Sequence, residues 1–350
     1  MRFVDNCASE ITRESLLSDP QFQKLAATWK YGEQAPAIFF LNKHALKMTL
    51  NWLCNTKPLA GVHERTLMVT LDQEANDRLS QLWPNIAVFH RPTPCLKDSF
   101  AFGDGAYQLF FVFRCNFAAA LLKLGVRFWM MQQDTVWRDN VLTIQDTFNT
   151  NSSSPNFHYN NTDTPELTFD RLGFENSARS SWINGANFYA RPTERSIKFF
   201  EETAKTLSQW YIPDVAVMIH KCAVGHAQCS FFSYSLVGCW EWLYYGDQSK
   251  PPQIIQMDAE SNSEGKLANM AKMGFYFLKA DGHTCDLDAV HKARENIRNA
   301  TVDLTNRRSL NRLQFTFYWL LVEVLLVIPF VGEYLRTYMP LFGYYLMMTM

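Results

Sequence analysis

Charge is scarce in this sequence. Lys, Arg, Asp and Glu make up 19% of it, where an ordinary globular chain carries about a quarter. The 33 basic side chains are met by 34 acidic ones, so the formal net charge is −1. With no basic excess to gather phosphates, nucleic acid is not a partner that the composition implies. The first twenty residues, MRFVDNCASEITRESLLSDP, lack the apolar run of a secretory signal. Zinc is poorly indicated as well. His220, Cys222, His226 and Cys229 lie close together, but their spacing matches no paired zinc-ligand pattern. A core helix with a disulfide-forming cysteine is the better reading there.

Aromatic side chains are what the sequence has in quantity: ten Trp, fourteen Tyr and 27 Phe among 350 residues. They imply a thick core and offer a stacking surface for a sugar or base. The length suffices for one large domain or two modest ones. Eight cysteines, an even and scattered set, permit disulfides in an oxidising compartment without requiring them. Glycan-acceptor sequons at Asn151, Asn160 and Asn299 point the same way. Two of them fall in 149–164, NTNSSSPNFHYNNTDT, a turn-rich stretch without core potential that reads as a lid or a solvated loop.

The C-terminal end is apolar. Residues 315–332, FTFYWLLVEVLLVIPFVG, approach the ~20 residues that span a bilayer, and a second apolar stretch fills 338–350. A membrane anchor is the favoured expectation. Glu323 within the segment favours the alternative, a buried or amphipathic helix. Arg307, Arg308 and Arg312 precede the segment and only Arg336 follows closely, which places the main domain on the cytosolic side. The sequons place it in the lumen, and the two signals oppose each other.

Along the chain, 1–60 reads as helical and connective, with a helix start at Ser18, Asp19 and Pro20 and helical spacing over 45–54. Two short β-rich runs follow, 65–71 (RTLMVTL, ending at Asp72) and 86–89 (IAVF). Next come an apolar helix over 106–124 and a buried strand over 126–131, with Gly125 as the helix stop between them. This alternation predicts an α/β fold with a mainly parallel sheet flanked by helices. In such sheets ligands bind at the carboxyl ends of strands. The stretch 126–140, VRFWMMQQDTVWRDN, is therefore the most informative: its apolar run stops at Gln132, Gln133 and Asp134. Asp134 is placed to hold a cation or a phosphate-bearing substrate; the alternative is a turn-capping acid. Later, 181–202 offers Asn184 and Asn187 as hydrogen-bonding side chains around Gly185, where a ligand can approach the backbone closely. A helix opens after Arg191, Pro192 and Thr193, and PPQIIQMD over 251–258 reads as a strand ending in polar groups, Gln256 and Asp258.

In this order the segments ALKMTLNWLC with RTLMVTLD, FGDGAY with LLKLGVRFWMMQQDTVWRDN, WINGANFYARPTERSIKFFEE and PPQIIQMD resemble the nucleotide-diphospho-sugar transferase family. These are glycosyltransferases of the A-type fold, and the pattern is similar to that of nematode-type members. The resemblance spans roughly 45–285. It implies transfer of a sugar from a nucleotide diphosphate, most simply a UDP-sugar, to a hydroxyl of a glycan or glycoprotein. It also implies a manganese ion bridging the donor's phosphates, where a Lewis acid stabilises the departing diphosphate. A Golgi or endoplasmic reticulum membrane location, with the domain in the lumen, goes with it.

By the same resemblance Asp134 matches the second acid of an Asp-x-Asp motif and is the principal metal or diphosphate contact. Gln132 stands where the first acid is expected, and Gln256 where a late His ligand is expected. Asp72 falls near the nucleotide base or ribose, and Arg114 on the approach to the phosphates. Gln133 and Asp258 fall among the substrate contacts. Asn184 and Gly185 line the sugar or acceptor side, with Asp214 a further acceptor-side candidate. The implied organisation is a helical segment over 1–60, the transferase domain over 61–285, a charged helical linker over 286–314 and an apolar tail over 315–350. The missing charge at Gln132 leaves a second expectation open, a catalytically silent domain that binds nucleotide-sugar or glycan.

Overall fold

The computed structural model describes residues 2–30, 34–100, 103–143, 165–174, 180, 182–257, 263–303, 320–321, 324–325 and 327–331. Asp258, the loop over 149–164 with its two sequons, and most of the apolar tail lie outside them.

Four short apolar runs form the parallel heart of the main sheet: β1 (Ala37–Leu41), β2 (Thr66–Thr70), β3 (Ala87–His90) and β4 (Phe128–Met130). β1, β2 and β4 are buried at every residue, as strands with both faces covered must be. Their side chains alternate between two apolar layers. Ile38, Phe40, Leu67, Val69, Phe128 and Met130 enter one, and Phe39, Met68 and Trp129 the other. After β5 (Thr135–Trp137), the strands β6 (Leu167–Arg171), β7 (Ile183–Ala190) and β8 (Cys229–Phe231) extend the main sheet. Its order is β3-β2-β1-β4-β7-β6-β8, with β7 antiparallel to both β4 and β6. A small second sheet sets β5 beside β10 (Ile254–Gln256) and β9 (Val237–Cys239).

Helices cover both faces. On the first lie α1 (Arg2–Cys7), α2 (Arg13–Leu17), α3 (Pro20–Lys30), α6 (Gly105–Lys123), α7 (Glu194–Gln209) and α8 (Asp214–Ala223). On the second lie α4 (Leu46–Thr56), α5 (Gln73–Leu82), α9 (Trp242–Tyr245), α10 (Ser263–Lys272), α11 (Leu287–Arg298) and the small sheet. Among the described residues α6 is the helix long and apolar enough to cross a bilayer, and its apolar window is 72% buried inside the protein. It is the core helix. Gly125 at φ +84° stops it: the Gly125 N–H donates to the Leu122 carbonyl and the Val126 N–H to that of Leu121. These are the two bonds of a Schellman cap, and they turn the chain directly into β4.

Two readings of the sequence change. The segment 1–60 is not only helical and connective, because β1 lies inside it, hydrogen-bonded between β2 and β4. AIFFL is an apolar run too short for periodicity to separate strand from helix. The charged helical stretch after Cys285 packs onto the domain through its first three turns. Val290, Ala293 and Ile297 form the apolar stripe of α11 and pack into the second layer. Arg294 donates to the Asn55 carbonyl of α4 at 2.6 Å.

Disulfides join Cys7 to Cys95, Cys54 to Cys285 and Cys222 to Cys229, while Cys115 and Cys239 are buried thiols. The helix-and-disulfide reading of 214–229 is therefore realised in α8 and its bond to β8.

Candidate active site

The main sheet hands the chain to the small sheet between Met131 and Thr135. The Met131 N–H makes the last ladder bond, to Ile38, and the backbone then turns through Gln132, Gln133 and Asp134 into β5. Across the junction the Met257 N–H donates to the Asp134 carbonyl at 2.8 Å, so the end of β10 closes against it. This edge is the carboxyl end of the parallel strands, where the sequence placed the site. Asp134 is only 6% exposed, and its Oδ2 lies 2.5 Å from Nζ of Lys266 in α10. Leu267 and Met270, both buried, seat that helix in the second apolar layer and carry the lysine to the junction.

Beside Asp134 lies a largely buried polar chain. The Gln132 backbone N–H donates to Oδ1 of Asn187 at 3.3 Å. Nδ2 of Asn187 donates to Asp170 at 2.8 Å and to Oε1 of Gln256 at 2.7 Å. The Gln132 amide and the Asp170 carboxylate fix which way Asn187 faces, and this in turn fixes Gln256 with its oxygen toward Asn187. The Gln256 Nε2 group is then left buried with no acceptor in the protein. A buried donor without a partner is costly, and such groups concentrate where a ligand or water completes them.

Asn187 can reach this position because β7 bulges. Between Phe169 and Arg171 of β6, two residues, the register on β7 runs from Phe188 to Ile183, five residues. Gly185 sits in the bulge at φ +70°, and a Cβ there would meet Cγ1 of Val215 at 2.9 Å. Arg114 pins the bulge: its guanidinium donates to the Gly185 and Ala186 carbonyls at 3.2 Å and lies 4.0 Å from the Asp214 carboxylate. Burial pushes the Asp214 carboxyl up to about 7, although the Arg114 cation pulls the other way. Asn184 is the partly exposed residue at the mouth of the bulge, and its Nδ2 has no acceptor in the protein.

The candidate residues thus divide. Asp134, Gln132, Asn187 and Gln256 come together at the junction, with Asn184 and Gly185 three and two residues before Asn187 on β7. Arg114 and Asp214 lie apart from that group, facing each other at 4.0 Å. Both are almost fully buried, and Arg114 is packed by the rings of Phe110, Phe111 and Phe188. A basic residue on a nearly all-apolar helix has no solvent face to occupy, so it binds backbone carbonyls instead. Gln133 is a brace: its Nε2 donates to the Phe40 carbonyl at 2.6 Å, holding the end of β1. Asp72 lies on the same sheet edge at the end of β2. Its two oxygens accept from Ala75 N of α5 at 2.9 Å and from Lys43 N at 2.7 Å, so it caps a helix and ties down the β1 exit. Lys266 was missed. It lies 132 residues from Asp134 in a helix whose charge pattern resembles any solvated face.

A divalent cation asks for several oxygen ligands with net negative charge. Of the three expected ligands, Gln132 and Gln256 are neutral, the Gln256 oxygen faces Asn187, and the Asp134 carboxylate is held by an ammonium. Among the described residues no three His, Cys, Asp or Glu side chains gather as a metal site. This donor set does not fit manganese.

Residues 61–270 match the family model of the nucleotide-diphospho-sugar transferases. No curated protein sequence matches the chain. Similar solved structures include the apo form of the WbbM bifunctional glycosyltransferase (9% identity, 69% of this chain and 50% of that one, TM-score 0.44). Others are the glycosyltransferase GlyE of Streptococcus pneumoniae TIGR4 (8%, 79% and 67%, TM-score 0.42) and the galactosyltransferase LgtC with donor and acceptor sugar analogs (7%, 75% and 95%, TM-score 0.41). The chain spans half the length of the WbbM chain. With its family model matching more than half of the sequence, the protein belongs to the nucleotide-diphospho-sugar transferase family.

Proposed function

We propose that the protein transfers a sugar from a nucleoside-diphosphate donor, a UDP-sugar first among them, to a hydroxyl of a glycan or glycoprotein. The observation that carries this reading is the Asp134–Lys266 pair at the exit of β4, on the carboxyl edge of the parallel strands. In the reaction the bond from the anomeric carbon to the diphosphate oxygen breaks and its electron pair leaves with the diphosphate. The acceptor oxygen bonds to the same carbon and gives up its proton. The protein's task is to stabilise charge growing on the leaving group and to orient the two reactants. Lys266 faces the first need. Asn184, whose side-chain donor has no acceptor in the protein, is the proposed contact to the sugar or acceptor.

Three disulfides support an oxidising compartment of the secretory pathway. The described tail residues Leu320, Val324, Val327 and Phe330 are exposed, which supports membrane association of that end. The neutral amides at Gln132 and Gln256 favour a second reading, a domain that binds donor or glycan without turnover.

The test is donor hydrolysis or transfer with a panel of UDP- and GDP-sugars. Wild-type protein turns one over, and Asp134→Ala loses at least about 100-fold in kcat/KM with its circular dichroism unchanged, the scale for removing one charged group from a shielded site. Full activity in that variant removes Asp134 from the site. Saturable binding without turnover by wild type selects the silent reading.

A further inference from the structure

Resting on the donor reading above, we propose that Lys266 takes the place of the metal: its ammonium meets the donor's diphosphate directly, and donor binding needs no divalent cation. The first observation is the pair itself, Nζ to Oδ2 at 2.5 Å, with the lysine side chain 20% exposed and the aspartate side chain 7%. A divalent cation reaching Asp134 would have to displace that ammonium or lie against it, like charge on like. A diphosphate meets the opposite situation. An ammonium carries three N–H donors, so one group can hold a carboxylate and a phosphate together. Asp134 then acts as a positioning residue, aiming Lys266 across the junction.

The second observation is independent of the first. Gln256, fully buried at the end of β10 and opposite Thr135 in register, has its oxygen committed to Asn187 and its Nε2 group without an acceptor. A metal ligand at this position needs an oxygen turned outward. What the structure holds in reserve is an N–H donor, the complement of a phosphate oxygen. The third is the charge balance of the junction. Gln132 and Gln256 bring no charge, the Asp134 carboxylate faces the Lys266 ammonium and that of Asp170 accepts from Asn187, so both carboxylates beside the junction are already engaged. The two departures from the metal motif, an amide for an acid at Gln132 and an amide for a His at Gln256, and the lysine thus form one substitution: metal ligands replaced, and a cation built into the chain.

The experiment is calorimetric titration of the full oxidised chain with UDP, and with GDP as the second probe, in EDTA and in manganese. Wild type binds one of them with the same Kd, within about twofold, in both buffers. Lys266→Gln weakens that binding about 10- to 100-fold in both, the scale of one charge-assisted hydrogen bond. Lys266→Arg, which keeps the charge, holds binding in EDTA within about tenfold of wild type and shows that loss in the glutamine variant is not misfolding. Asp134→Asn keeps or tightens UDP binding because it takes a like charge away from the phosphates, while at a metal site it would abolish it. Binding that collapses in EDTA and returns with manganese, or that is indifferent to Lys266→Gln, overturns this inference and leaves the donor reading standing. No binding of either nucleotide in either buffer overturns the donor reading, and this inference with it.

Discussion

Replacing Arg114 by methionine tests whether the β7 bulge is held by a buried cation. The methionine fills similar apolar space among Phe110, Phe111 and Phe188, so the change removes charge and donors more than volume. Two consequences follow from the geometry. The Gly185 and Ala186 carbonyls lose their donor, and an unsatisfied buried group costs about 1–3 kcal/mol. Asp214 loses its nearby cation, and breaking a buried pair costs about 3–5 kcal/mol when the remaining charge has no escape. Asp214 does have one, because burial already raises its pKa to about 7 and it takes up a proton readily. The combined loss is therefore nearer about 3–4 kcal/mol than the sum.

The pH dependence follows from the same group. A carboxyl whose folded-state pKa is raised favours the folded protein fully below its unfolded pKa of ~4, and that contribution disappears as pH rises to about 7. Without Arg114 the folded pKa rises further, so the window extends upward and the deficit of the variant grows between about pH 7 and 9. Urea denaturation of the oxidised protein at pH 6 and pH 8, read as midpoint at constant slope, measures it. Arg114→Met with Asp214→Asn should lose less than the sum of the two singles and should show no extra deficit at the higher pH. A single variant within about 1 kcal/mol of wild type at both pH values, or strict additivity in the cycle, refutes the idea of a coupled buried pair.

Two further perturbations probe the same scaffold. Gly185→Ala forces a side chain onto φ +70° and into Val215, and should cost about 1–3 kcal/mol; adding Val215→Ala recovers the steric part and not the backbone part, read by thermal melting. An unchanged melting temperature in the single variant contradicts the bulge geometry. Removing the Cys54–Cys285 bond as a double alanine variant should cost about 2–5 kcal/mol, with mild reductant moving the wild-type urea midpoint in the same direction; equal midpoints would show that the bond is not formed in solution.

Much of the sheet could be read from the chain because its strands are bounded by strong local signals. Asp72 marks the end of β2, Gly125 the entry to β4, and the abrupt change from Met131 to Gln132 its exit. Thr193 caps α7 where the sequence opened it. β1 escaped because five consecutive apolar residues have no period. The small sheet was only partly legible, since three-residue strands such as β5 and β9 are fixed by their partners and not by pattern. For the site, the sequence located the edge but not the division of labour on it. Arg114 and Asp214 look like functional residues by type, and only packing shows that they face each other beneath β7. Lys266 and Asp134 meet through tertiary structure alone, a contact that no local motif announces.

Two of the three disulfides also route mechanical load. Tension entering from the C-terminal side reaches Cys285 and crosses to Cys54; from there it reaches Cys7 either along the chain or through Cys95. The covalent path between the two ends therefore bypasses residues 96–284 altogether. Asp134, Asn187, Gln256 and Lys266 all lie in that slack portion. If the tail is tethered, a pull on it stretches α4 and the N-terminal layer while the backbone that carries the site stays unloaded.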